Sequence, residues 1–382
     1  MKKRKIGIVS EYYYPHLGGI TEHVYYLSRE LLRRGFEVVL LTGNQGEIEG
    51  KALLPSLRII RFGKTVPVLS NESFAKVTLG WRLGAQIKKV IEDEKFDLIH
   101  IHSPLTPVLP LLFEKYSNTV TVGTIHTYFD SAFLYGVFRK VMQNFLIKFD
   151  GLIAVSASCI TAMDRYFKMN YQIIPNGVDT QWFRDPTHKI KKYDDGVFNI
   201  FFLGRLDPRN GLDTLLDAMP FVLQKHPKSR LIIAGDGPLR EFYEKKAGPR
   251  LNQSIFFEGQ INSERPMYFS TSHVFCYPAT KASFGITLLE SMAAGTPVVA
   301  TDNRGFRDII DHGRNGLLTP PEDPEKLAET LIRIQNDTSL AKHLSVTGRI
   351  AAERYNWAHV TDQILEFYNK VYLKKKGQSF AS

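Results

Sequence analysis

Short apolar runs alternate with amphipathic stretches through most of the chain. Lys5 to Ser10, Phe36 to Thr42, Phe96 to His102, Val120 to Ile125 and Asp150 to Val155 each read as a buried parallel strand that ends in a polar loop. Between the first two, Ile20, Val24, Leu27 and Leu31 recur at helical spacing, Arg33 and Arg34 fill the last turn, and Gly35 closes it. Strand, glycine turn, helix, strand is a βαβ unit, the opening of a Rossmann-like domain. The alternation restarts after residue 196, with strands expected at Val197 to Leu203, Arg230 to Ala234, Ser254 to Glu258, His273 to Tyr277 and Pro297 to Thr301. A helix is expected over Gly211 to Gln224, and another after the turn Gly235-Asp236-Gly237-Pro238. The fold class is therefore α/β, two Rossmann-like domains facing a cleft. The charged, apolar-poor segment from Arg184 to Gly196 is the expected linker, which places the domains at 1–183 and 197–359. After Asp311 the pattern is mostly helical. It ends in an amphipathic segment carrying Val360, Ile364, Phe367 and Val371, followed by Lys374, Lys375 and Lys376.

Composition narrows the class. A chain of 382 residues, 43% hydrophobic and 23% charged, has material for two full cores. Its formal charge of +10 favours nucleotide phosphates, nucleic acid or an anionic membrane surface, and charge alone does not choose among them. No nucleic-acid-binding motif is present, so nucleic acid is not an expected partner. Cys159 and Cys276 stand too far apart to suggest a disulfide framework or a metal knuckle, which suits a reducing cytoplasm. The apolar run after MKKRK is too short for a signal peptide, and no run approaches the roughly 20 apolar residues that span a bilayer. Any membrane contact is expected from the surface, at the inner face. The fingerprint G-x-G-x-x-G is absent, which disfavours a nicotinamide dehydrogenase.

Two stretches stay open. From Arg58 to Lys89, Arg61, Lys64, Lys76, Arg82, Lys88 and Lys89 mix with Phe62, Phe74 and Trp81. Such a mixture suits an anionic headgroup, or a solvated helix face above core aromatics. Residues 132–148 show a helical pattern with a wide apolar arc and Arg139, Lys140 and Lys148 on the rest. This helix either docks on a membrane or covers the sheet.

Candidate chemistry lies at strand ends. Phe284 and Gly285 open a helix after the strand that ends near Pro278, Glu290 sits inside it, and Gly295-Thr296-Pro297 stops it. A helix opening with glycine offers backbone N–H groups to phosphate, although many such turns bind nothing. In Gly204-Arg205-Leu206-Asp207-Pro208-Arg209-Asn210-Gly211, an arginine on a strand-to-helix loop suits a diphosphate, or forms a surface ion pair. Gly18-Gly19 is a tight turn or a phosphate contact. His126 follows a strand where open α/β sheets hold ligands.

Ser283-Phe284-Gly285-Ile286, Glu290 and the run Met292 to Val299 resemble the donor-site signature of the retaining GT-B glycosyltransferases of family 4, also called glycosyltransferase group 1. The likeness is greatest to phosphatidylinositol mannosyltransferase-type enzymes. Thr124-Ile125-His126 and the segment Ile174 to Asp179 resemble further family motifs, so the likeness spans nearly the whole chain. It implies a retaining hexosyltransferase that moves a mannose- or glucose-type sugar from a GDP- or UDP-linked donor. The acceptor would be a lipid or glycan, such as a phosphatidylinositol-like glycolipid or a polysaccharide precursor. It also implies that the last helix, about 360–382, crosses back to the N-terminal acceptor-binding domain.

By the same likeness, His126, Arg205 and Glu290 are the expected catalytic set. Gly18, Gly19, Arg205, Arg209, Asn210, Lys281, Ser283, Phe284, Gly285, Ile286 and Glu290 are expected at the donor. Tyr12, His16, His23 and His126 are expected at the acceptor. No metal or other cofactor is expected, since no acidic or His/Cys constellation shows ligand spacing. Two positions depart from the family pattern: Asn210 replaces a usual lysine, and Ala282 the first of two glutamates. The alternatives are a catalytically weakened nucleotide-sugar-binding or regulatory homologue, and a different nucleotide-sugar enzyme such as an epimerase or phosphorylase.

Overall fold

The computed structural model describes residues 3–16, 18–46, 54–70, 73–129, 133–184 and 188–380. Of the positions singled out in the sequence, residues 185–187 of the expected linker, Ala132, the side chain of Phe74 and residues 381–382 lie outside the described residues. The chain forms two compact units. The first comprises residues 1–177 and 357–382, the second residues 178–356.

In the first unit, β1 (Lys5–Ser10), β2 (Glu37–Gly43) and β3 (Arg58–Phe62) are followed by a hairpin of β4 (Lys64–Ser70) and β5 (Ser73–Leu79). Then come β6 (Leu98–His102), β7 (Val120–Ile125), β8 (Gly151–Ala154) and β9 (Tyr171–Ile173). The main sheet runs β3-β2-β1-β6-β7-β8-β9, with every pairing parallel. The order reverses between β1 and β6, so the residues leaving these strands flank the crevice where such sheets take ligands. Val24, Leu27 and Leu31 of the helix Gly19–Arg33 are buried against Ile6, Ile8 and Val38. Val360, Ile364, Tyr368, Val371 and Tyr372 of the helix Trp357–Lys376 close the same core.

The second unit contains β10 (Phe198–Leu203), β11 (Ser229–Ala234), β12 (Ile255–Gly259), β13 (Val274–Tyr277), β14 (Val298–Thr301) and β15 (Leu317–Thr319). Its parallel order, β12-β11-β10-β13-β14-β15, reverses between β10 and β13. Two Rossmann-like α/β units are thus present, built from the apolar runs that mark the strands in the sequence.

Three expectations need correction. The first unit's N-terminal segment ends at Gly177, and residues 188–196 of the expected linker belong to the second unit. Tyr193 is buried there, its carbonyl accepts from Asn199 Nδ2 at 2.7 Å, and Asp195 pairs with Arg230. A single well-placed aromatic anchors a segment whose average composition is polar.

The stretch 58–89 is mainly strand and hairpin rather than a helix face. Phe62 is buried, whereas Trp81 is 87% exposed, and Lys88 and Lys89 lie on the exposed face of the helix Leu83–Glu94. Finally, the apolar arc of the helices Phe133–Val137 and Arg139–Leu146 is only partly buried: Leu146 is buried and the Tyr135 ring lies 5.3 Å from that of Phe129. Val137, Phe138, Val141 and Ile147 are exposed beside Arg139, Lys140 and Lys148.

One glycine ties the second unit's two switch-point loops together. Gly211 has φ +73°, and a Cβ there would collide with the carbonyl of Pro278. Thr280 N donates to Arg209 O at 3.0 Å across the same contact. Gly211→Ala is expected to cost more than about 1 kcal/mol, measured by urea unfolding, because it adds backbone strain to a steric clash. A change of a few tenths would show that the loops part easily.

Candidate active site

In the second unit, the loop after β10 carries Arg205, Arg209 and Asn210, and the loop after β13 carries Lys281 to Gly285. The Arg209 and Gly211 contacts bring both to one edge of the sheet. Arg205 is 40% exposed in its side chain, and its Nε lies 3.8 Å from Asp207 Oδ2; Arg209 Nε lies 3.6 Å from the same oxygen. Burial pushes the Asp207 carboxyl up, while the two guanidiniums oppose that shift. The pair of arginines therefore stands over one buried carboxylate, a cationic edge suited to a diphosphate.

Asn210 is turned inward. Its Nδ2 donates to Arg205 O at 2.7 Å and its Oδ1 accepts from Tyr277 OH at 2.9 Å. It braces the arginine loop instead of facing outward with the arginines.

Gly285, at φ +120°, caps the helix Ile286–Ala294, and a side chain there would crowd Leu288 and Phe306. Lys281 is exposed, Ser283, Gly285 and Ile286 are half-buried, and Phe284 is buried, forming the approach to that helix opening. Glu290, in the same helix, is only 1% exposed and pairs with Arg265. The Arg265 guanidinium also lies over the rings of Trp182, at 5.1 Å, and Phe183, at 5.8 Å. Arg265 carries no motif, so its place beside Glu290 was not legible in the sequence.

The first unit gathers histidines at the ends of β6 and β7. Because His102 pairs with Thr124 in register, His126 emerges two residues further along on the same face. His102 Nδ1 is 2.9 Å from His126 Nε2. His23 reaches the pair from the helix Gly19–Arg33; its ring lies 5.1 Å from that of His102 and 4.8 Å from that of His126. His100, one pleat back, is saturated by Tyr368 OH and Thr124 Oγ1, each at 2.6 Å.

All four are buried and held neutral, since desolvation disfavours the imidazolium: His23 is lowered to about 4, His100 to about 3, and His102 and His126 lie well below the usual range. His126, at 8% exposure, lines a cavity with Ser103, Leu105, Thr127 and Tyr135. Sequence spacing shows no metal-ligand pattern, yet the fold brings a nitrogen of each of His23, His102 and His126 within 4.8 Å of the others.

Of the other acceptor candidates, His23 faces inward: its Nδ1 is 2.8 Å from Asn176 Oδ1. Tyr12 OH accepts from Lys76 N at 3.2 Å, and its ring lies 5.6 Å from that of His16. Gly18 and Gly19 are exposed at the start of their helix.

Glu11, which follows β1, was not singled out in the sequence. It is 1% exposed, and its Oε1 accepts from Thr78 N and Leu109 N, both at 3.3 Å, while Oε2 meets Thr78 Oγ1 at 2.5 Å. Burial, only partly offset by these bonds, raises its carboxyl to about 7. A folded-state value above the unfolded one stabilises the protein fully below about pH 4.5, and that stability is lost as pH rises through about 7. Glu11→Gln, whose amide can donate to Thr78 Oγ1, is therefore expected to be about as stable as wild type at pH 4 and about 3 kcal/mol more stable at pH 8. Urea unfolding at the two pH values checks this; equal effects at both would show that Glu11 does not titrate in this range.

Two parallel sheets with strand-end loops of this chemistry define a GT-B type glycosyltransferase. The model for "Glycosyltransferase Family 4" matches residues 17–182 and that for "Glycosyl transferases group 1" matches residues 183–351. The chain belongs to this family. It is 32% identical to the phosphatidyl-myo-inositol mannosyltransferase of Mycobacterium tuberculosis, over 96% of this chain and 97% of that one. It is 24% identical to the alpha-monoglucosyldiacylglycerol synthase of Streptococcus pneumoniae, over 82% and 75%. Anabaena HepE, solved with UDP and glucose, has the same fold: TM-score 0.76, 22% identity, 96% of this chain and 99% of that one.

Proposed function

We propose that this glycosyltransferase moves a mannose- or glucose-type hexose, with retention, from a nucleotide diphosphate sugar to a lipid acceptor of the phosphatidylinositol or diacylglycerol type. The observation that carries this reading is the 32% identity to phosphatidyl-myo-inositol mannosyltransferase along nearly the whole chain. The streptococcal relative, by its name a synthase of a glucosylated diacylglycerol, supports a lipid acceptor. Arg205 and Arg209 take the diphosphate, aided by Lys281 and the backbone from Ser283 to Ile286. Glu290 accepts from ribose hydroxyls, and the neutral His126 orients the sugar and the attacking hydroxyl. The transfer needs no metal, because the arginines balance the charge of the departing diphosphate.

Asn210 fits an active enzyme. It holds the Arg205 carbonyl, so its loss of a lysine's charge is offset by a fixed arginine loop. The exposed Phe138, Val141 and Ile147 beside Arg139 and Lys140 support attachment to an anionic membrane. Among the described residues no helix is long and apolar enough to cross one.

The test incubates the purified protein with GDP-mannose or UDP-glucose and vesicles containing phosphatidylinositol or diacylglycerol, followed by mass spectrometry of the lipids. One glycolipid with an α-linkage is expected from an α-linked donor. Donor hydrolysis alone, or no product with any pairing, would overturn the reading.

A further inference from the structure

The histidine cluster has a property that sugar orientation does not use. Asn176 Oδ1 can only accept, so His23 Nδ1 carries the hydrogen and His23 Nε2 is a lone pair. That Nε2 is buried and has no hydrogen-bond partner, and the same is true of His102 Nε2. Two orphaned imidazole nitrogens in one core are costly, at about 1–3 kcal/mol each. His100 cannot serve them, since both its nitrogens are bonded. The remaining three rings come from three elements, and each offers a nitrogen within 4.8 Å of the other two. A tetrahedral ion with bonds of 2.0–2.1 Å needs its ligand nitrogens about 3.3 Å apart, so shifts on the order of 1 Å would complete the set. The bond from His23 to Asn176 is also what fixes a metal-binding imidazole in its ligating tautomer. Of the three rings, His126 borders the cavity lined by Ser103, Thr127 and Tyr135.

We propose that His23, His102 and His126 form a three-imidazole site for a divalent transition ion of the zinc type, and that filling it inhibits the enzyme by capturing His126. Three neutral nitrogens without a carboxylate or thiolate select zinc, cobalt, nickel or copper over magnesium or calcium. The binding claim stands on the geometry alone. The inhibition claim rests on the role given to His126 above.

The test uses the full-length protein after chelator treatment, titrated with Co2+ and Zn2+ and followed by visible absorption and calorimetry. One equivalent should bind with the strong visible bands of tetrahedral cobalt. His23→Phe and His102→Asn should each abolish those bands while the thermal transition stays cooperative. Asn176→Ala, which removes only the bond to His23, should weaken binding about 10- to 100-fold. His343→Ala, at an exposed histidine of the second unit, should change nothing. Absence of a tetrahedral cobalt spectrum, or binding unaffected by His23→Phe and His102→Asn, would overturn the site. Zinc should inhibit transfer with the same midpoint as it binds. Stoichiometric binding that leaves transfer untouched would overturn the inhibitory role. A chain that binds the ion but transfers no sugar would instead count against the proposed function.

Discussion

Arg205→Ala is expected to lower turnover about 100- to 1000-fold, the usual effect of removing one group that stabilises charge in the transition state. The side chain is partly exposed and its approach to Asp207 is long, so that ion pair carries little folding energy. The contact that does shape the loop uses the backbone: Asn210 holds the Arg205 carbonyl, and alanine retains that carbonyl. Activity should therefore fall far more steeply than stability. Arg205→Lys should recover only part of the rate, because an ammonium restores the charge without the planar pair of donors. Steady-state kinetics over a range of donor concentrations checks both variants. A loss of less than about threefold for Arg205→Ala would remove this residue from the catalytic set and shift attention to Arg209.

Arg265→Met is expected to destabilise the protein by about 3–5 kcal/mol, the typical cost of removing one partner from a buried ion pair. The Arg265 side chain is 11% exposed and that of Glu290 1%, so water cannot readily replace the lost cation. The guanidinium also covers Trp182 and Phe183, and methionine replaces that apolar contact only in part. The double variant Arg265→Met, Glu290→Leu should regain most of the stability, since no uncompensated charge then remains. Urea unfolding of the two single variants and the double variant measures this coupling. Strict additivity would mean that the two side chains act independently. Donor binding adds a second readout, because any ribose that reaches Glu290 must share it with Arg265.

The architecture was largely legible in the sequence because parallel strands buried on both faces leave continuous apolar runs. Ile6 to Val9 and Ile200 to Leu203 could be little else. The hairpin β4–β5 was not legible. Its alternation is masked by Lys64, Lys76 and Pro67, and the same residues read equally well as a basic face. The exposed helices after residue 132 show the limit of periodicity. An apolar arc reports that a helix can bury a face, and Phe138 and Val141 nevertheless lie open. Of the site, the loops carrying Arg205 and Gly285 follow from local sequence, because turns and helix openings are local. Arg265 beside Glu290, and His23 beside His102 and His126, depend on strand order and on which face a residue takes. No local pattern encodes those contacts. Asn210 looked like a weakened charge and is a brace, a distinction that required its partner Tyr277.

The helix Trp357–Lys376 has a consequence for how the protein is made. It supplies Trp357, Val360, Ile364, Tyr368 and Tyr372 to the first unit's core, although residues 178–356 intervene in the chain. As synthesis proceeds, the first 177 residues emerge with an apolar groove that no neighbouring segment can fill. The second unit, being continuous in sequence, can finish folding while the first still waits. A chain that ends just before residue 357 contains all of the second unit but lacks the segment that closes the first unit's core, and its exposed apolar groove makes it a natural substrate for chaperones and proteases.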